Sequence, residues 1–329
     1  GSNGAIKTAQ ERLETEFFNS SVFTQLRKNH GNDFEDWIGQ KVAAVSGNLS
    51  QKKLGISEDW YTKLVQEVQI FINSAAIVQF DAPIDDAASI NVLSVQHAVQ
   101  FARQCKDATF VHISTAYSCG DRSDLIPEEL HLPYADLAKK LNNTEYPTPE
   151  TLEAEIEGMI EIGRQIREKI RQTENSSQHV RTNTEKSTNK RIEDHLIEAG
   201  RNHALKRGWH DIYTYTKALG EEVVSKMRGD LPVAIIRPSI IESSLEEPSP
   251  GWLAGLRMAD PLIIGFGKGR LPDFPATPSI TLDVIPVDIV VNATLAATVQ
   301  SYEKGGLEVY HVSSGYTNPL SFQRLHDLT

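Results

Sequence analysis

Three stretches of this chain are apolar without regular polar alternation: 68–73 (VQIFIN), 109–115 (TFVHIST) and 232–238 (PVAIIRP). A strand that is apolar on both faces has to be covered on both faces. The sheets that meet this demand are parallel ones with helices above and below. Between the first two stretches runs an amphipathic helical segment, Asp85 to Lys106, with Ile90, Leu93, Ala98, Phe101 and Ala102 on one side. Strand, helix and strand at this spacing require a crossover, so the expected class is α/β with a doubly wound parallel sheet. A helix from Trp209 to about Arg228, a helix near Asp288 to Val299 capped by Asp288, and a strand at Glu308–Ser313 extend the pattern.

Other segments fit less simply. Thr8 to Asn29 predicts one helix, with Leu13, Phe17, Phe18, Val22, Phe23 and Leu26 as its stripe. Lys41 to Leu49 predicts a strand ending in a Gly-Asn turn, and Ser57-Glu58-Asp59 opens a short helix. Between residues 121 and 208 the pattern stops. Pro127, Pro133, Pro147 and Pro149 mark a loop, Glu150 to Arg171 a charged helix, and Ile192 to Arg207 another helical run. The Ser/Thr/Asn-rich tract 173–190 predicts a flexible surface excursion without a core of its own. Glu246 to Pro275, rich in Pro and Gly, predicts loops around a short helix within a small substrate-side segment over 242–283. The whole, 1–329, is expected to be one domain. Its abrupt end four residues after Leu325 marks it as a fragment in this reading.

Composition excludes some functions. A net charge of −11 without a basic stripe argues against nucleic acid as a partner. Cys105 and Cys119 make neither a disulfide framework nor a metal quartet, so no metal is expected. Two reduced cysteines fit a cytoplasmic protein, and with no run of eighteen apolar residues and no charged-then-apolar leader the chain reads as soluble.

The chemistry sits at Tyr213-Thr214-Tyr215-Thr216-Lys217. On a helix, Tyr213 and Lys217 lie one turn apart on one face. An ammonium beside a phenol favours the phenolate and moves the phenol, ordinarily near pKa 10, toward working pH. That is the proton donor a carbonyl reduction needs. Three further features fall at expected strand ends, where open α/β sheets bind ligands: Ser74-Ala75-Ala76, Ser114-Thr115 and Pro238-Ser239. A hydroxyl, a tyrosine and a lysine around a carbonyl describe hydride transfer from a nicotinamide.

These residues resemble a known family. Gly47-Asn48-Leu49, Asn73-Ser74-Ala75-Ala76, Ile90-Asn91-Val92-Leu93, Val111–Tyr117, Tyr213–Lys217 and Ile236–Ile240 are similar to the alcohol-forming fatty acyl-CoA reductases, in the extended short-chain dehydrogenase/reductase superfamily. Glu247-Pro248-Ser249-Pro250-Gly251-Trp252 and the stretch from Asp283 to Ala293 narrow the likeness further.

The resemblance implies a Rossmann-like fold, NADPH as cofactor and a long-chain acyl-CoA as substrate, reduced through the aldehyde to the alcohol. It implies Tyr213 as the acid, Lys217 as its partner and ribose ligand, Thr115 as the polarising hydroxyl and Ser114 as the fallback. Asn48 and Leu49 would lie by the adenine, and Ser74, Ala75 and Ala76 would line the dinucleotide. Asn91 would brace the neighbouring loop, and Pro238, Ser239 and Ile240 would flank the nicotinamide. The family's Gly-x-x-Gly-x-x-Gly turn has no counterpart before Lys41, so its first strands are expected to be missing from this chain. The cluster Gly265-Phe266-Gly267-Lys268-Gly269 fails the strand–glycine–helix context and does not replace it.

Two other readings compete: a nucleotide-sugar epimerase or dehydratase, and a catalytically idle dinucleotide-sensing protein. For 121–208 the functional readings are cover for an acyl tunnel or peripheral membrane contact, set against a solvated insertion. Chain-length preference and oligomeric state leave no trace in the sequence.

Overall fold

The structure is a computed structural model describing residues 8–122, 124–130, 151–176, 184–255, 260–270 and 277–328. Its centre is a four-stranded parallel sheet in the order β1 (Ile70–Asn73), β2 (Thr109–Ile113), β3 (Val233–Pro238) and β7 (Leu307–Val312). A two-stranded parallel pair, β4 (Ile240–Glu242) with β6 (Val284–Pro286), continues past β3. An antiparallel pair joins β5 (Thr281–Leu282) to β8 (Leu320–Ser321).

Two of the unalternated strands, β2 and β3, are covered on both faces as their composition demands, whereas β1 leaves Ile70 and Ile72 exposed on one face. Phe110, Val233, Ile235 and Val309 face one layer of the core, while Val111, Ala234, Ile236 and Val312 face the other. The first layer is built from a continuous helix over 84–102 and the helix Ile212–Met227, with Val92, Val95, Phe101, Leu219 and Val223 buried between them. The second is built from the helix Val287–Lys304, through Val290 and Ala297. Helices thus flank both faces of a parallel sheet, which is the α/β class expected.

Four expectations are corrected. Lys41–Leu49 forms no strand and has no ladder partner among the described residues; Asn48 N instead bonds Leu54 O at 2.8 Å. The single helix over Thr8–Asn29 is broken, because Ser20 starts a new cap by accepting from Val22 N at 3.3 Å. Asp288 does not cap its helix, whose cap position is Pro286. Its carboxylate accepts instead from the backbone N–H groups of Leu245, Glu246 and Glu247 at 2.9, 2.8 and 3.1 Å. Those amides hold the Asp288 carboxyl well below the usual range and brace the 245–247 loop.

The fourth concerns 121–208. Its helices, Leu152–Ser176 and Thr184–Leu205, take in 173–176 and 184–190 of the tract expected to be flexible; 177–183 lie outside the described residues. Leu152, Ile156, Met159, Ile170, Ile192 and Leu196 are buried in the main core. At roughly 2 kcal/mol for each side chain removed from water, that is far more than a solvated excursion would carry. Heptad-like spacing of these residues was masked in the sequence by the charged groups between them. Gly163 allows the first helix to approach Asp85 closely, since a Cβ there would lie 2.5 Å from the Asp85 side chain. Arg167 closes the junction with a 2.8 Å ion pair to Asp85.

The 242–283 segment is described except for 256–259 and 271–276. Its 244–252 turn is closed by Ser244 N to Trp252 O at 3.0 Å, and Trp252 Nε1 donates to Ser21 Oγ at 2.9 Å. Gly265–Gly267 end the helix Asp260–Gly267, so this glycine cluster presents a helix C-terminus rather than the amide-rich start a phosphate needs.

Candidate active site

The backbone after β2 stays beside β3. Ser114 N donates to Ile236 O at 2.7 Å and Ala116 N to Pro238 O at 2.9 Å, which fixes Thr115 between two ladder-like bonds. Thr115 Oγ1 accepts from Tyr117 N at 3.3 Å, and its hydroxyl lies near enough to the Tyr213 phenol to lower the pKa of that group. Tyr213 is in the first turn of its helix, which Asp211 caps by accepting from Thr214 N at 2.7 Å. Phe80, on the loop after β1, meets the Tyr213 ring edge-on with centroids 5.8 Å apart. The two hydroxyls therefore converge at the C-terminal edge of the sheet.

Lys217, one turn on and only 3% exposed, donates from Nζ to Ile113 O, the last carbonyl of β2. Burial lowers its pKa to about 8, against a smaller opposing pull from Glu221. The expectation that this ammonium makes the phenol acidic is corrected. Burial dominates at Tyr213 and raises its pKa, the neighbouring Thr115 hydroxyl opposes that, and Asp211 adds to it. With its ammonium turned to the β2 carbonyl, Lys217 leaves the phenol protonated, a donor without further help at neutral pH.

The remaining predicted residues divide. Asn91 is buried in a π-helical turn, Ser89–Leu93, and its side chain pairs with both Ile77 N (2.8 Å) and Ile77 O (3.0 Å). It also donates to Thr216 Oγ1 at 3.0 Å, tying the loop after β1 to the Tyr213 helix. Gly220 makes this approach feasible: a Cβ there would sit 2.9 Å from Asn91 O. Ser74 and Ala75 are exposed and Ala76 half-buried where β1 ends. Pro238 closes β3, and Ser239 Oγ is buried without a hydrogen-bond partner among the described residues. Ile240 begins β4 and donates its N–H to Asp283 O at 3.1 Å.

Asn48 is not brought to this cluster by any bond; its side chain accepts from Ser50 N and Oγ in its own turn. Leu49 O accepts from His97 Nδ1 at 3.0 Å, which fastens that turn to the 84–102 helix. Ser114 is engaged elsewhere, its Oγ donating to Glu221. Sequence reasoning passed over Glu221, Arg237, Ser118 and His112. The last is fully buried, with Nδ1 3.2 Å from Asn73 Nδ2, and burial beside Lys217 holds it neutral by lowering its pKa. A charged residue inside an apolar strand, Arg237, was the one visible signal of that buried network.

An NAD-binding family described as male sterility protein matches residues 3–294. The chain belongs to that family. This male sterility family chain is 33% identical over 328 residues to fatty acyl-CoA reductase 2, chloroplastic, of Arabidopsis thaliana, covering 98% of this chain and 50% of that protein. It is 32% identical to the alcohol-forming fatty acyl-CoA reductase of Simmondsia chinensis, covering 98% of this chain and 62% of the relative. The chain thus spans about half to three fifths of the length of these relatives. In fold, the male sterility family chain is similar to the terminal R domain of the myxalamid PKS-NRPS pathway, at TM-score 0.57 and 18% identity, covering 98% of this chain and 60% of that one. It is also similar to UDP-glucuronic acid 4-epimerase from Bacillus cereus, at TM-score 0.52 and 14% identity, covering 91% and 68%.

Proposed function

We propose that the protein containing this chain is an NADPH-dependent reductase of long-chain fatty acyl-CoA, forming the primary alcohol through the aldehyde. The observation that carries the reading is that the Thr115 hydroxyl and the Tyr213 phenol are neighbours at the ligand edge of the sheet, with Lys217 one turn away. The names of the relatives supply the substrate class, and the family supplies the dinucleotide.

The residues present fit the nicotinamide half of such a cofactor. Ser239 Oγ, buried and unpartnered among the described residues, suits a ribose hydroxyl or carboxamide, and Lys217 Nζ sits on the last carbonyl of β2. When bound, the dinucleotide supplies a hydride. Thr115 and Tyr213 donate to the oxygen that becomes negative, each worth on the order of 3 kcal/mol of barrier. Tyr213 then passes its proton to that oxygen. In the first round the protonated adduct is a hemithioacetal, which releases the CoA thiol and leaves the aldehyde; the second round ends at the alcohol. A cytoplasmic site of action and peripheral contact with a membrane belong to the same proposal.

The test is turnover of the protein containing this chain. Tyr213→Phe should lower kcat by about a hundredfold or more, and Thr115→Val by a similar factor, with NADPH affinity nearly kept. NADH in place of NADPH, and a nucleotide sugar in place of acyl-CoA, should both be poor. Undiminished turnover by Tyr213→Phe removes the phenol from the mechanism.

A further inference from the structure

Glu221 lies one turn beyond Lys217, fully buried, and plays no part in the chemistry above. Arg237 on β3, equally buried, donates to it from Nε at 3.0 Å and from Nη2 at 2.6 Å. An ion pair this deep gains little net stability, because removing both charges from water offsets their attraction. Its other contacts say more. Glu221 Oε1 also accepts from Ser114 Oγ and, at 3.0 Å, from Ser118 Oγ.

Those two serines bracket Thr115. The turn between them closes through Ser118 N to Thr115 O at 3.3 Å and Tyr117 N to Thr115 Oγ1 at 3.3 Å. One carboxylate oxygen therefore grips both ends of the turn that presents Thr115, from the same helix that presents Tyr213 two turns earlier. The grip is anchored on the sheet, since Arg237 Nη1 is 3.1 Å from His311 Nε2 on β7. A carboxylate offers acceptors only, and all four donors here need one. A glutamine at this position would aim its own N–H₂ at one of them.

We infer that Glu221 is a positioning residue: by clasping Ser114 and Ser118 to the Tyr213 helix, it sets the separation of the Thr115 and Tyr213 hydroxyls. Its importance for turnover rests on the reading of those hydroxyls as the carbonyl-binding pair, whereas the clasp itself can be tested without turnover.

The chain is labelled with 3-fluorotyrosine, and the residue 213 resonance is identified by its loss in Tyr213→Phe. Thr115→Val gives the ¹⁹F shift of a phenol that has lost its neighbouring hydroxyl. Ser118→Ala removes one arm of the clasp and leaves the Glu221–Arg237 pair in place, so the fold should hold, with a melting midpoint within about 4 °C of the parent. Its residue 213 resonance should move in the direction set by Thr115→Val, and Glu221→Gln should move it at least as far. If Glu221→Gln does not fold, Ser118→Ala still decides. A folded Ser118→Ala chain whose resonance stays at the parent position overturns the clasp. In turnover, Ser118→Ala should lower kcat about tenfold through misplacement of the pair, with KM for NADPH unchanged. Normal turnover by Tyr213→Phe would sink the catalytic reading alone, because the ¹⁹F comparison does not depend on it.

Discussion

Lys217 shows what a functional side chain costs at the scale of one residue. Its pKa falls from 10.5 unfolded to about 8 folded, chiefly through burial. Between those values the unfolded chain binds the proton that the folded chain has released, so stability rises with pH across this window. The slope is at most about 1.4 kcal/mol per pH unit. We expect the parent to gain about 2 kcal/mol over Lys217→Met between pH 8 and 10, read from urea unfolding of both at each pH. The difference cancels all other titrating groups, and a parent that loses ground over that range contradicts the buried ammonium. Tyr213 and Lys217 were legible in the sequence because helical spacing within one short segment places them together. The bond from Ser114 to Glu221 was not, since 107 positions separate the two and Glu221 does not stand out by type. The direction of the Tyr213 shift was missed because spacing predicts which groups are near, while burial and the turn of the ammonium toward Ile113 O decide the sign.

At the scale of elements, the 152–176 and 184–205 helices are fastened to the Tyr213 helix by one carboxylate. Glu155, buried, accepts from His203 Nε2 at 2.6 Å, Arg207 Nη2 at 2.7 Å and Tyr215 Oη at 2.6 Å. Burial pushes its pKa up, but His203 and Arg207 outweigh that and bring it down to about 2. A depressed carboxylate contributes its stability above the unfolded value of 4.5 and loses it as pH falls toward 2. Glu155→Ala should cost about 3–5 kcal/mol near pH 7, with the deficit shrinking below pH 4.5, measured by urea unfolding. A deficit that stays constant down to pH 2.5 would rule out this carboxylate as the fastener. Two glycines in the first helix give an internal comparison. Gly158 faces open space, so Gly158→Ala should stabilise by about 0.5–1 kcal/mol through helix propensity. Gly163→Ala places its methyl into Asp85 and should destabilise by about 1–3 kcal/mol despite the same propensity gain. Thermal melts that rank the two the other way would mean the helix is not seated on Asp85. The strands of the sheet were legible as apolar runs, because composition alone shows a need for cover on both faces. Lys41–Leu49 was not, since a β-like pattern says nothing about whether a neighbour exists to pair with it.

The molecule as a whole leaves one side of its sheet open among the described residues. Ile72 pairs in register with Val111, so both point to the same face. Val111 is covered by the helix Val287–Lys304, which packs on β2, β3 and β7, whereas Ile70 and Ile72 on β1 remain 54% and 46% exposed. That helix carries its own exposed stripe, Val291, Leu295, Val299 and Tyr302, at spacings that align them along one side. Among the described residues β1 is the edge of the sheet, and an edge strand presents backbone groups able to pair with another strand. An apolar shelf beside an open strand edge favours association, while a net charge of −11 opposes it over distances that salt shortens. The two effects give a salt dependence with a definite sign. This chain should stay dispersed in about 20 mM salt, where repulsion reaches over 20 Å, and associate in about 500 mM, where it reaches less than 5 Å. Static light scattering against concentration reads the change. Ile70→Lys with Ile72→Lys should suppress association at both salt concentrations, because lysines on an edge strand disfavour pairing and break the shelf. If the double variant scatters as the parent does in high salt, the contact lies elsewhere on the surface and the β1 edge is closed in solution by some other part of the chain.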